Sequence, residues 1–184
     1  MCELLTTFFP ADLAPQLDLV TLERVNGSYA SDAGSQRHGD MVWRVQLAGR
    51  WLYLYVLMEF QSTPDPYMAL RMRVYVGLLQ QDLVKRHELP ASGRLPPVLP
   101  LVMYSGLRPW RASRSMSGLV MAGLDGVAVA SSQDEYLLLD FPKLFSEQPQ
   151  LLSRPLAALL SLRFMDGRRS GQGALGLIDA WLRK

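Results

Sequence analysis

Asp40, Glu59 and Gln61 are the residues of this 184-residue chain whose types and spacing could do chemistry together. They bracket the stretch "DMVWRVQLAGRWLYLYVLMEFQ" (residues 40–61), which reads as two strands around a tight turn. Taking Gly49 as the first central residue of a type II′ turn sets Ala48 opposite Trp51 and Asp40 opposite Glu59. Two carboxylates facing each other at roughly 5 Å, in an effective dielectric of about 20, repel by about 3 kcal/mol. A hard divalent cation between them turns that cost into a binding site, and Mg²⁺ is commonly held by one or two carboxylates plus waters and phosphate oxygens. The plainer reading keeps Asp40 as an ordinary residue entering a strand and Glu59 as a strand-end acid reaching solvent. Gln61 shares their face, one step further along.

The elements that must position these groups follow from the flanking sequence. Both faces of the strand ending at Glu59 are apolar, with Trp51, Tyr53, Tyr55 and Leu57 on one and Leu52, Leu54, Val56 and Met58 on the other, so it is covered on both sides. Pro66 after Asp65 opens a helix over "YMALRMRVYVGLLQQDLVKR" (residues 67–86). "PPVLPLVMYSG" (residues 96–106) and "EYLLLD" (residues 135–140) read as further strands, and the order strand, strand, helix, strand predicts a mixed α/β sheet. A short helix is expected over "LDLVTLERV" (residues 17–25), a loop over residues 26–39, a long functional or disordered loop from Arg111 to Gln133, and terminal helices beyond residue 141.

The stretches "DMVWRV", "YVLMEFQSTPDPYMALR", "VYVGLLQQDL" and "LPPVLPLVMYSG" resemble the recombination-promoting nuclease family, also called YhgA-like transposases, of the PD-(D/E)xK nuclease superfamily. The resemblance covers about residues 17–140. It implies a restriction-endonuclease-like α/β core, a mixed β-sheet flanked by helices, with helical C-terminal additions over about 141–184, in a single nuclease-like domain. It also implies that Asp40 and Glu59 hold Mg²⁺, with the Phe60 carbonyl as a third ligand. Gln61 stands where the superfamily's lysine positions the attacking water. An amide supplies hydrogen bonds there but no positive charge.

Family members usually begin with a further segment that carries the first core helix and its acid. This chain opens near the end of that segment, which leaves Glu23 as the nearest substitute for a helical acid, or as a plain surface glutamate. Arg71, four residues before Tyr75 on one helix face, and Arg37, just before Asp40, are the expected DNA contacts; a solvated surface accounts for either equally well. The implied activity is Mg²⁺-dependent hydrolysis of DNA phosphodiester bonds in recombination or mobile-element biology. The rival is a catalytically weak or inactive nuclease-derived DNA-binding or inhibitory partner protein lacking the first core helix; on either reading the expected partners are DNA and a second copy of the chain, as a homo-oligomer, or longer relatives.

Composition adds bounds. A hydrophobic fraction of 49% supplies a sizeable core for one domain. Cys2 is the sole cysteine, which excludes an internal disulfide and a cysteine metal cage and points to a reducing, cytoplasmic setting. No apolar run approaches the roughly 18 residues that span a bilayer, so no membrane partner is expected. Net charge is only +2, yet of the 19 basic residues all but Lys85, Lys143 and Lys184 are arginine, the side chain whose planar fork suits phosphate. An arginine-favouring codon bias explains that excess equally well.

Overall fold

The computed structural model describes residues 1–9, 11–25, 40–59, 63–106, 108–121 and 135–153, with the backbone alone at 40, 57–59 and 152–153. Five strands, β1 (Leu17–Val25), β2 (Asp40–Leu47), β3 (Arg50–Glu59), β4 (Val98–Tyr104) and β5 (Leu137–Asp140), lie side by side in sequence order. The first two junctions are antiparallel and the last two parallel, so the sheet is mixed as expected. The described helices are α1 (Cys2–Phe8), α2 (Met68–Lys85) and α3 (Phe141–Glu147). This is the α/β architecture expected of a restriction-endonuclease-like core.

Strand periodicity sorts β3 between two cores. Leu52, Leu54 and Val56 pack with Met41, Trp43 and Val45 against α1 and Phe141. Tyr53 and Tyr55 face the other way with Val42, against Met68, Met72, Leu79 and Leu83 of α2. A strand buried on both faces is what its continuous apolar run required.

Helix α2 begins two residues later than Asp65 and Pro66 suggested. The Asp65 carboxylate accepts the Tyr67 N–H at 2.8 Å, an Asx turn that leads into the first helical turn. At its other end His87 takes a left-handed conformation (φ 57°), and the N–H groups of His87 and Glu88 return to the carbonyls of Val84 and Leu83. That pair of bonds is a Schellman closure, with histidine in the position usually held by glycine.

The segment Leu17–Val25 is a strand, not the expected helix. Its partly buried and exposed residues largely alternate, Val20, Thr21 and Val25 are β-branched, and the open edge of β2 supplies a ladder. A bulge between Asp18 and Glu23 interrupts that ladder, and the Thr21 hydroxyl fills in by accepting the Gln46 N–H at 2.9 Å. The expected helices beyond residue 153 lie outside the described residues; α3 and a 3₁₀ turn at Pro149–Ser153 are the described part of that region.

Candidate active site at the strand ends

The geometry of the site starts at the hairpin turn. Ala48 (φ 49°) and Gly49 (φ 75°) are both left-handed, which makes them the two central residues of a type I′ loop closed by Leu47 and Arg50. The expected type II′ turn at Gly49-Arg50 is therefore wrong, and the register moves with it. Asp40 opposes Leu57, and Glu59 lies one pleat further along on the same parity, a diagonal rather than a directly facing position. Diagonal positions on an antiparallel ladder are about 7–8 Å apart, so the repulsion drops to about 2 kcal/mol at the same effective dielectric.

Glu59 also pairs with Tyr104 across the parallel β3–β4 junction, and Tyr104 pairs with Asp140 across β4–β5. The start of β2 and the ends of β3, β4 and β5 thus meet along one edge of the molecule. In open sheets of this kind the carboxyl ends of parallel strands are where ligands bind. Asp140 is already engaged, as it caps α3 by accepting the Lys143 N–H. Phe60, Gln61 and Arg37 lie outside the described residues.

Glu23 is not a helical acid. It sits in β1 directly across from Arg44, and their side chains form an ion pair. Arg44 is held further by the Tyr53 hydroxyl at 3.4 Å and by the Trp51 ring, whose centroid lies 4.6 Å from the guanidinium carbon. A groove of about 270 Å³ lined by Arg44, Trp51, Tyr53 and Glu88 opens beside them. It lies toward the hairpin turn, at the opposite end of the sheet from Asp40 and Glu59.

Arg71 is anchored. Its Nη1 donates to Asp65 Oδ2 at 3.0 Å, with the two side chains 17% and 26% exposed, so the guanidinium is oriented by the loop that precedes its own helix. Tyr75, one turn on, stacks on Tyr55 with ring centroids 5.4 Å apart. The signal for the partnership with Asp65 is "DPYMALR", where an acid and an arginine flank a helix start.

A second aromatic group lies on the same side of the sheet. Trp110 Nε1 donates to the Tyr136 hydroxyl at 3.1 Å, that hydroxyl donates to the Ser113 carbonyl at 3.1 Å, and Trp110 meets Tyr104 edge to face at 4.9 Å. Burial pushes the Tyr136 phenol up to about 12; the Trp110 donor and the Arg114 charge oppose the rise, and Asp65 adds to it. The phenol is a neutral structural donor at physiological pH.

Among the described residues no three Asp, Glu, His or Cys side chains gather as a metal cluster. At positions 40 and 59 the donor types, two carboxylates on one face of a sheet edge, suit a hard cation such as Mg²⁺. Among the same residues no helix is long and apolar enough to cross a membrane.

The chain is similar to proteins of one family. The family model described as "Putative transposase, YhgA-like" matches residues 1–165. Recombination-promoting nuclease RpnC of Escherichia coli (strain K12) is 32% identical over 105 residues, which cover 56% of this chain and 33% of that protein. RpnD of Escherichia coli O157:H7 is likewise 32% identical over 105 residues, 55% of this chain and 39% of that protein. The inactive recombination-promoting nuclease-like protein RpnE of strain K12 is 28% identical over 104 residues, 56% of this chain and 33% of that protein. The chain thus matches little more than a third of the length of these relatives, and no solved structure matches it. With a match over nearly its whole length, the chain belongs to the YhgA-like transposase family.

Proposed function

We propose that this protein is a metal-dependent DNA endonuclease acting in recombination. One observation carries the reading: Asp40 and Glu59 occupy the same pleat parity at the carboxyl-end edge of the sheet, in a family whose relatives include named recombination-promoting nucleases. Asp40 and Glu59 are the residues that would hold Mg²⁺, with the Phe60 carbonyl beside them. Such an ion supplies activation of a water and neutralisation of charge developing on the phosphate oxygens. Gln61 would orient the attacking water through its amide. Arg71, held by Asp65, would meet a phosphate oxygen from the start of α2.

The name of RpnE supports a second reading, in which the chain is catalytically inactive and binds DNA or pairs with longer relatives. Supercoiled plasmid incubated with purified protein in Mg²⁺ or in EDTA, beside Asp40→Ala and Glu59→Ala, separates the two. The nuclease reading expects nicking in Mg²⁺ alone and a loss of about 100-fold or more in either variant. Nicking that survives EDTA or both substitutions would exclude it, and plasmid binding without nicking would favour the inactive reading.

A further inference from the structure

From Leu89 to Leu124 the chain contains no aspartate or glutamate, yet it carries Arg94, Arg108, Arg111 and Arg114. Three of these fall in "RPWRASR" (residues 108–114), which leaves β4 four residues after Tyr104, the ladder partner of Glu59. Like charges this close together repel one another and favour an extended, solvated loop. It is nevertheless fixed. The Tyr104 hydroxyl donates to the Arg108 carbonyl at 2.7 Å, Trp110 turns inward between Tyr104 and Tyr136, and the Tyr136 hydroxyl donates to the Ser113 carbonyl.

Beyond these contacts the backbone runs beside the two residues that lead into β5. Ser115 bridges Glu135 in antiparallel fashion, and the Tyr136 N–H donates to the Arg114 carbonyl at 3.2 Å. Gly118 closes the loop on Ser113 so tightly that a side chain at 118 would collide with the Ser113 hydroxyl. The aromatic side chains point in and the arginines stay out. Arg108 and Arg111 are exposed and have no ion-pair partner among the described residues; Arg114, half exposed, meets Glu135 only at 3.9 Å.

We propose that residues 108–114 form a preorganised strap for the phosphate backbone of DNA, with Arg108 and Arg111 as its principal contacts and Arg114 steadied against Glu135 and the Tyr136 carbonyl. Its first arginine follows Tyr104, the register partner of Glu59, by four residues, so DNA held at the Arg108 end of the strap lies beside the edge where Asp40 and Glu59 end, while Arg114 lies further back, beside the residues that lead into β5. Because the backbone that carries the arginines is already tied at Arg108, Ser113 and Arg114, binding need only order their side chains. This inference rests on the nuclease reading for its choice of DNA over other polyanions.

The test measures binding of a fluorescent DNA duplex in EDTA across a salt series. The proteins are wild type, the pair Arg108→Gln with Arg111→Gln, the pair Arg108→Lys with Arg111→Lys, and a control pair, Arg50→Gln with Arg94→Gln. The control removes the same charge from exposed sites near the other end of the sheet. The glutamine pair should reduce the slope of log affinity against log salt by about two, one per phosphate contact, while the lysine and control pairs keep the wild-type slope. An unchanged slope in the glutamine pair overturns the strap, as does an equal loss in the control, a loss in the lysine pair, or an effect seen with an RNA duplex and not with DNA. Plasmid nicking in Mg²⁺ is read separately. A wild type that never nicks, with the slope still lost in the glutamine pair, removes the nuclease reading and retains the strap; Mg²⁺-dependent nicking with unaltered binding in that pair removes the strap alone.

Discussion

At the scale of single residues, burial and hydrogen bonding decide what each polar group can do. Tyr136 is neutral in the folded protein until about pH 12, whereas the free phenol ionises near 10. The folded state therefore holds the proton more tightly than the unfolded chain. The stability this group contributes is complete below pH 10 and is lost as pH rises through 10 toward 12. Tyr136→Phe should flatten that alkaline decline while lowering stability near neutrality by about 1–2 kcal/mol, since Trp110 Nε1 and the Ser113 carbonyl lose their partner. Urea denaturation of both proteins between pH 7 and 11.5 checks it, and parallel declines would assign the alkaline transition to other groups. The placement of Asp40 and Glu59 at one end of the hairpin was legible in the sequence because apolar alternation marks the two strands that they bound. Glu23 was misread because an acid near an arginine looks the same in a helix as in a strand until a neighbouring ladder is known, and that ladder partner, Arg44, is distant in sequence.

At the scale of elements, two residues at the hairpin turn govern the register of the site. Ala48 holds a left-handed conformation that costs an L-residue about 1–2 kcal/mol, and type I′ loops favour asparagine there before glycine. Ala48→Asn should stabilise the protein by about 0.5–1 kcal/mol and raise its melting temperature by about 1–4 °C. Ala48→Val should lower it, because a β-branched residue is a poor occupant of that region. Calorimetry of the three proteins checks the order; a stabilising valine would contradict the type I′ assignment. The strands of the hairpin, α2, β4 and β5 were readable because alternation, prolines and apolar runs agree with one another. The turn type was not, since alanine gives no sign of a positive φ. Nor was β1, whose nine residues fit either period and became a strand through the edge that β2 offers.

At the scale of the molecule, the proposed metal couples stability to activity. Asp40→Asn removes one of two diagonal charges, so in EDTA the variant should be at least as stable as wild type. Mg²⁺ at about 100 times its dissociation constant should stabilise wild type by about 2.7 kcal/mol, a melting shift of about 5–11 °C, and the variant should lose most of it. Thermal melts across a Mg²⁺ titration check this, and equal shifts in both proteins would remove Asp40 from the site. The division of the sheet into an antiparallel and a parallel half has a further consequence, for the order in which the protein assembles. The β2–β3 hairpin closes through a two-residue loop, an event on the order of microseconds, while β4 reaches β3 only after α2 has been crossed and β5 follows later still. During synthesis the strands bearing Asp40 and Glu59 can therefore pair before the segment bearing Arg108 and Arg111 has a surface to settle on. A newly made chain would hold its acids in register while still lacking the arm proposed to grip DNA, and that capacity would arrive with the last strand.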